Sequence, residues 1–436
     1  MRRLTRVLLG AVLALAVVLL GLNPATAQEA EQSAESVRGV LRFEGEPVAG
    51  VTITVQTPDG EEVGSAESDA EGTWLVPVPA AGTYVVVLDP DTLPDDVPGV
   101  AAEEITTEVG NTQSKSVLFR LGEEGGGGGA GGGGSGGSTG AGGITFDRVA
   151  QLTVEGLRFG IVLALAALGL SMIFGTTGLT NFAHGELITF GAIAAYVITG
   201  AGLPFLLAAV LAVVASGAFG WAQDTALWRP LRRRRTGLIA MMIVSIGLAI
   251  FLRYFFLYLF GGERRPYQEF AVQAGIELGP VTLAARDIWS MGIAVLVLAG
   301  TVLALSRTRL GKATRAVSDN PALASATGID VDKVIRVVWI GGAALAGLSG
   351  ILIALSQQVD FQIGFRSLLL VFAAVVLGGL GTIAGSIVGA VLVGLFLQLS
   401  TLVIPIELQN AGVLALLIVV LLIRPQGILG RRERVG

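Results

Sequence analysis

The sequence predicts a polytopic α-helical membrane protein of about eight or nine spans, preceded by a signal peptide and a small exported β-sandwich. Three observations carry that prediction. Of the 436 residues, 52% are hydrophobic and only 14% are charged, against about 25% charged in soluble globular chains. Apolar runs of about 20 residues, the length of a helix that crosses a bilayer, recur from residue 152 almost to the C-terminus. Residues 28–124 hold 20 acidic and 4 basic side chains, whereas residues 125–436 hold 14 acidic and 22 basic, so the two parts face different surroundings. The chain has no cysteine, which excludes disulfides and thiolate metal sites. Its lone histidine, His184, is too few for a histidine-based zinc site and makes a Ser-His-Asp triad a poor fit.

Residues 1–27 contain Arg2, Arg3 and Arg6, then an apolar run, then Ala25-Thr26-Ala27. That is the layout of a secretory signal, with cleavage expected after Ala27. An uncleaved anchor helix is the alternative, and either delivers the next segment outside the cytoplasm. In residues 28–124 the β-branched runs VRGVLRF, GVTITVQT, TWLVPVP and GTYVVVLD are separated by turn signals such as Pro58-Asp59-Gly60 and Ala81-Gly82. This is the spacing of a small antiparallel sandwich. Its acidic residues read as a solvated face, with calcium binding as the rival reading. From Gly125 to Gly143, 14 of 19 residues are glycine, a flexible tether with an r.m.s. reach of roughly 24 Å.

The membrane part, residues 144–436, has apolar runs near 152–174, 183–200, 203–226, 237–260, 287–306, 334–356, 366–380, 383–401 and 408–423. The seventh is short and ends in Gly378-Gly379, so seven crossings also fit if 366–401 is re-entrant. With the sandwich outside, the basic clusters at 229–235, 307–315 and 424–434 all fall on the cytoplasmic side, as the positive-inside rule requires.

Polar residues inside these runs are the candidate functional positions. In GLTNFAHGEL, residues 178–187, Asn181 and His184 share a helical face while Glu186 points about 200° away from His184. An ionisable group at bilayer depth costs roughly 2.5–3.5 kcal/mol. Asn181 and His184 therefore either line or gate a pathway, or cap a helix at the cytoplasmic interface. Arg253 either snorkels outward or meets a ligand. Gln357, Gln358, Asp360 and Gln362 are a receptor-facing exit or a wet loop. Gly342, Ala346 and Gly350 lie four apart, as do Gly381, Gly385 and Gly389. Each set predicts a flat stripe for close helix packing, within the subunit or against a second one. In residues 309–331, Asp319-Asn320-Pro321 signals a helix start, Gly328 a stop and Asp330 a cap for the next helix. A short helix there suits docking into a groove on another protein, or is an ordinary loop.

GLTNFAHGELITFGA, SIGLAIFLR, RLGKATRAVSDNPALASATGIDVDKVI, LGGLGTIAGSIVGA and LLIRPQGILG occur in that order over residues 155–430. Together they resemble the membrane permease subunits of branched-chain amino acid ABC importers. The resemblance implies transport rather than bond-making chemistry, with no catalytic residue, cofactor or metal in this chain. It implies that cytoplasmic ATP-binding subunits bind ATP and contact the 309–333 loop at Asp319, Asn320, Pro321, Ala324 and Gly328. The chain has no G-x-x-x-x-G-K-[ST] phosphate loop of its own. Further implied partners are a second membrane permease subunit, an extracytoplasmic solute-binding protein and membrane lipid, with no nucleic acid. The implied location is multi-pass in the plasma (inner) membrane with the N-terminal domain outside. The implied substrate is Leu, Ile or Val. Urea, short amides or other amino acids are alternatives, and an ATP-independent carrier or channel is the rival class. Residues 36–121 resemble the carboxypeptidase regulatory-like (transthyretin-like) sandwich at Val37, Gly39, Pro47, Gly50, Val51, Asp69, Gly72, Gly82 and Tyr84. Such domains are usually structural or adhesive.

Overall fold

The computed structural model describes residues 36–121, 145–267, 275–404 and 408–430, with short breaks in the first and last of these stretches. The expected signal segment, the glycine tether at 125–143 and Arg431, Arg432 and Arg434 lie outside the described residues. The chain divides into two compact units, Met1–Gly134 and Ser135–Gly436.

The first unit is built of strands: β1 (Ser36–Val40), β2 (Arg42–Phe43), β3 (Glu46–Pro47), β4 (Thr52–Gln56), β5 (Glu62–Glu67), β6 (Thr73–Pro77), β7 (Gly82–Leu88), β8 (Glu104–Val109) and β9 (Ser114–Ser116). They form a β6-β1-β9 sheet, a β5-β4-β7-β8 sheet and the small β2-β3 pair. Alternate residues point inward, as a period of two requires. Ile53 and Val55, Trp74 and Val76, and Tyr84, Val86 and Leu88 enter one common core. Gly39 lets β1 pass the indole of Trp74, because a Cβ there would lie 2.7 Å from the ring.

The second unit is helical: α1 (Phe146–Thr177), α2 (His184–Gly200), α3 (Phe205–Gln223), α4 (Arg229–Arg233) and α5 (Leu238–Phe260) precede a β10 (Gly275–Leu278) and β11 (Val281–Ala284) hairpin. Then follow α6 (Ala285–Arg307), α7 (Arg309–Asp319), α8 (Pro321–Ala326), α9 (Val331–Gln357), α10 (Ile363–Gly378), α11 (Ile383–Leu399) and α12 (Gln409–Ile423). Among the described residues, six helices are long and apolar enough to cross a membrane, and α10 and α12 are shorter apolar helices. The third run extends beyond the expected end at 226. A π-helical turn, Asp224–Trp228, joins α3 to α4 without a break, so the first arginines of the basic cluster belong to the helix.

α1 and α9 are mostly buried, whereas α5 and α6 are mostly exposed. The central helices approach closely at small residues. Gly169 of α1 meets Gly342 of α9, Gly191 of α2 meets Gly347 of α9, and a Cβ on Gly350 would run into the carbonyl of Ile188. Gly385 and Gly389 seat against Gly378 and Ala374 of α10. Both expected stripes therefore pack within the subunit. Gly381 is the exception. It lies in the turn before α11 with φ +75° and is not on the helix face.

The helical unit also contains a repeat that the linear reading missed. Asn181-Phe182-x-x-Gly185 recurs as Asp360-Phe361-x-x-Gly364. The helix before each motif ends on a residue of positive φ, Gly178 (φ +67°) and Gln358 (φ +65°), although their ψ angles of 4° and 160° differ. Each acidic or amide Oδ1 then accepts the N–H two residues on, from Ala183 at 3.1 Å and from Gln362 at 2.7 Å. The helices launched by these turns, α2 and α10, cross where Gly185 meets Gly364. Packing partners are exchanged in the same sense: α9 lies against α2 and α3, and α1 against α10 and α11.

Neighbouring glycines of α9 test this packing. At Gly341 nothing lies within 4 Å of an added Cβ, so Gly341→Ala is expected to be neutral or to stabilise by up to about 1 kcal/mol through helix propensity. Gly350→Ala is expected to destabilise by about 1–3 kcal/mol through overpacking. Thermal denaturation of the two purified variants in detergent measures the difference.

Candidate functional site

The segment after α1 folds back into the bundle. Gly178 closes the helix with its N–H on the carbonyl of Phe174 at 2.7 Å, and the chain then runs inward through buried Leu179, Asn181 and Ala183. His184 opens α2, and its Nε2 donates to the carbonyl of Ala166 at 3.0 Å. Ala166 lies eleven residues before the end of α1, so the chain has retraced about 16 Å of that helix. The backbone N–H of Phe182 donates to the Ser245 hydroxyl of α5 at 3.1 Å. Asn181 and His184 are both fully buried, and what they visibly do is brace this re-entrant turn.

Glu186, one residue beyond the α2–α10 crossing, meets Arg253 of α5. Its Oε1 accepts from Arg253 Nε and Nη2, both at 3.3 Å. The guanidinium carbon sits 3.7 Å from the centroid of the Phe365 ring, which belongs to α10. Arg253 is thus held inside the bundle and does not snorkel. His184 and Glu186 diverge as their helical angle requires, one toward α1 and the other toward α5. Glu186 Oε2, His184 Nδ1 and Asn181 Nδ2 have no hydrogen-bond partner among the described residues. The Glu186–Arg253 pairing was invisible in the sequence because the residues lie 67 positions apart with no shared periodicity. The second re-entrant turn is polar as well. Asp360 is 4% exposed and pairs with Arg366 and, at 3.4 Å, with Arg264, whereas Gln357, Gln358 and Gln362 around it are exposed.

The expected coupling segment is two helices. The Asn320 side chain caps α8 through the Leu323 N–H at 2.9 Å, with Pro321 in the first turn. Gly328 has φ +90°, and Asp330 caps α9 through the Lys333 N–H at 3.0 Å. Asp319, Asn320, Pro321 and Gly328 are exposed, and so is Leu323. Ala324 and Val317 point the other way, into a core with Trp228 and Trp339. Those two indoles stack at 5.6 Å and join the π-turn to α9. Beside them Asp332 of α9 accepts from Arg229 at 3.0 Å and Arg233 at 3.2 Å, while buried Asp224 pairs with Arg232 at 2.7 Å. Among the described residues no three His, Cys, Asp or Glu side chains converge as metal ligands.

An apolar bundle with two re-entrant turns, a charged pair where they cross and a capped amphipathic segment at one end has the features of a membrane permease. The family model described as branched-chain amino acid transport system / permease component matches residues 152–423, and the chain belongs to that family. It is accordingly a multi-span protein of the plasma membrane. The chain is 33% identical over 300 residues to the high-affinity branched-chain amino acid transport system permease protein LivH of Escherichia coli K12, covering 65% of this chain and 96% of that protein. BraD of Pseudomonas aeruginosa, a permease protein of the same description, is 31% identical over 297 residues, with 65% and 96% covered. A probable LivH of Methanocaldococcus jannaschii is 31% identical over 301 residues, with 64% and 92% covered.

Asn181→Ala removes the acceptor of the first turn and is expected to cost about 1–2 kcal/mol, in the range of a lost helix cap. Asn181→Asp keeps the acceptor geometry. Comparing the unfolding midpoints of the two variants in detergent checks whether the turn depends on that single bond.

Proposed function

We propose that this chain forms the translocation path of an ATP-binding-cassette importer for branched-chain amino acids. In this reading α1, α2, α3–α4, α5, α6 and α9–α12 make nine crossings. Residues 1–27 are a signal peptide. Residues 28–124 form an exported sandwich of the carboxypeptidase regulatory-like kind, 125–143 a tether and 144–436 the permease. The arrangement puts the basic ends of α4, α6 and α12 in the cytoplasm, in keeping with the positive-inside rule. A cytoplasmic ATP-binding pair, a second permease subunit and an extracytoplasmic solute-binding protein complete the machine.

The observation that carries the reading is the two-faced α7–α8 segment. Its outer face offers Asp319, Asn320, Pro321, Leu323 and Gly328, while Val317 and Ala324 are rooted against Trp228 and Trp339. A push on the outer face therefore reaches α3 and α9 through close-packed rings. An ATP-binding partner drives the change only by binding the two states with different affinity. Gly328 sustains a left-handed turn that a side chain strains. Asn181 and His184 hold the turn that tilts with α1 and so act on the gate from behind.

Leu323 is 63% exposed, so Leu323→Asp is expected to leave insertion and thermal stability unchanged. It should lower ATP-driven leucine uptake by the reconstituted importer at least about tenfold, the equivalent of about 1.4 kcal/mol of lost coupling. Unchanged uptake by that variant contradicts the docking assignment, and uptake that persists after ATP depletion identifies a carrier instead. Deleting residues 28–143 is expected to preserve uptake.

A further inference from the structure

The Glu186–Arg253 pair is not explained by stability. A buried ion pair holds a bundle together no better than well-packed apolar residues of similar volume. This pair is also poorly saturated. Its two bonds are 3.3 Å long, against about 2.7–2.9 Å for a close charge-assisted bond. Both arrive at one carboxylate oxygen, and Oε2 is left without a partner among the described residues although Glu186 is only 1% exposed. Arg253 bonds to Glu186 alone through Nε and Nη2, and its side chain keeps 18% exposure.

The guanidinium lies on Phe365, which is 50% exposed, and Leu369 one turn further along α10 is 41% exposed. Arg253, stacked on that ring, stands well inside α5, fifteen residues after its start and seven before its end. A guanidinium at such depth faces water or protein rather than lipid. The place is also special in the fold. Glu186 follows Gly185 and Phe365 follows Gly364, so the cluster occupies equivalent positions of the two repeats at the crossing of α2 and α10. Any tilt of one repeat against the other changes the distance between these groups.

We propose that Arg253, Glu186 and Phe365 form a binding site on the transport path for a free α-amino acid with an apolar side chain. Arg253 takes the α-carboxylate, for which its planar donors are matched. The buried, unpartnered Oε2 of Glu186 takes the α-ammonium as the pair opens, and Phe365 and Leu369 receive the side chain. The site rests on the importer reading and assigns its specificity partly to this chain.

The absence of cysteine from the sequence makes a direct test practical. In the full chain in nanodiscs, Leu369→Cys is expected to react readily with a charged, membrane-impermeant methanethiosulfonate. Leu296→Cys, on the exposed face midway along α6, is expected to react far more slowly. L-leucine at about 10 mM, ten times the dissociation constant of a weak ~1 mM site, should slow labelling at Leu369→Cys about tenfold. Leucinamide and 4-methylpentanoate, each lacking one charged group, should not. Adding Arg253→Gln should abolish protection while labelling continues. The charge-swapped pair Glu186→Arg with Arg253→Glu keeps an ion pair and should still fail to be protected. The proposal is overturned if Leu369→Cys does not label, if leucine never protects it, or if the swapped pair restores protection. ATP-driven leucine uptake by the complete importer, measured in parallel, separates these outcomes: uptake without protection removes the site and leaves the importer reading standing.

Discussion

A polypeptide that turns around inside an apolar bundle must satisfy its own backbone there, because no water is present to do it. The buried turn at Asn181 meets that requirement, and the turn at Asp360, flanked by exposed Gln358 and Gln362, uses the same device. A residue of positive φ ends the incoming helix, and an Asn181 or Asp360 oxygen takes up the N–H two residues on. A glycine then lets the outgoing helix touch its counterpart, main chain against main chain, at Gly185 and Gly364. The Thr189 hydroxyl accepts the Gly364 N–H at 3.1 Å and ties the crossing shut. The rest of the helical unit is arranged around this contact, with α1 and α9 lying across it and the exposed α5 and α6 outside.

Close main-chain packing has a mechanical consequence. Helices that touch at glycine backbones have no side-chain layer to absorb small displacements, so they shift as bodies. The α7–α8 segment is attached to such a body, because its buried face reaches the Trp228–Trp339 stack between the π-turn and α9. A π-turn is an irregularity that helices retain mostly at functional positions. Here it coincides with buried polar groups of Gln223, Asp224 and Trp228 that lack partners among the described residues. The C-terminal end of α3 thereby carries several unpartnered polar groups inside an otherwise close-packed bundle.

The charged pair follows another logic. Glu186 and Arg253 are drawn from helices with different exposure, α2 inside and α5 at the margin. Their interaction therefore joins the re-entrant core to the exposed margin of the bundle. Desolvation opposes both charges, and the ion-pair partner and the Phe365 ring offset it. The pair is held in place but incompletely satisfied, with Glu186 Oε2 lacking a partner among the described residues.

What the sequence determined by itself were the properties that reside in contiguous residues. Apolar length located the long helices, and alternation located β1, β2, β4, β6 and β7 of the first unit but not β3, β5, β8 and β9. The pattern Asp319-Asn320-Pro321 with Gly328 and Asp330 located α8 and the cap of α9, because caps and stops are local chemistry. The glycine spacing 342, 346 and 350 announced close contact without naming the partner. Only the tertiary structure decided which helices meet, since this depends on side chains far apart in the chain finding one another. It paired Glu186 with Arg253, placed Gly381 in a turn and seated Ala324 against the Trp228–Trp339 stack. It also carried the long helix through Arg233, where the Asp224 and Asp332 carboxylates neutralise arginines that look like a loop signal in isolation.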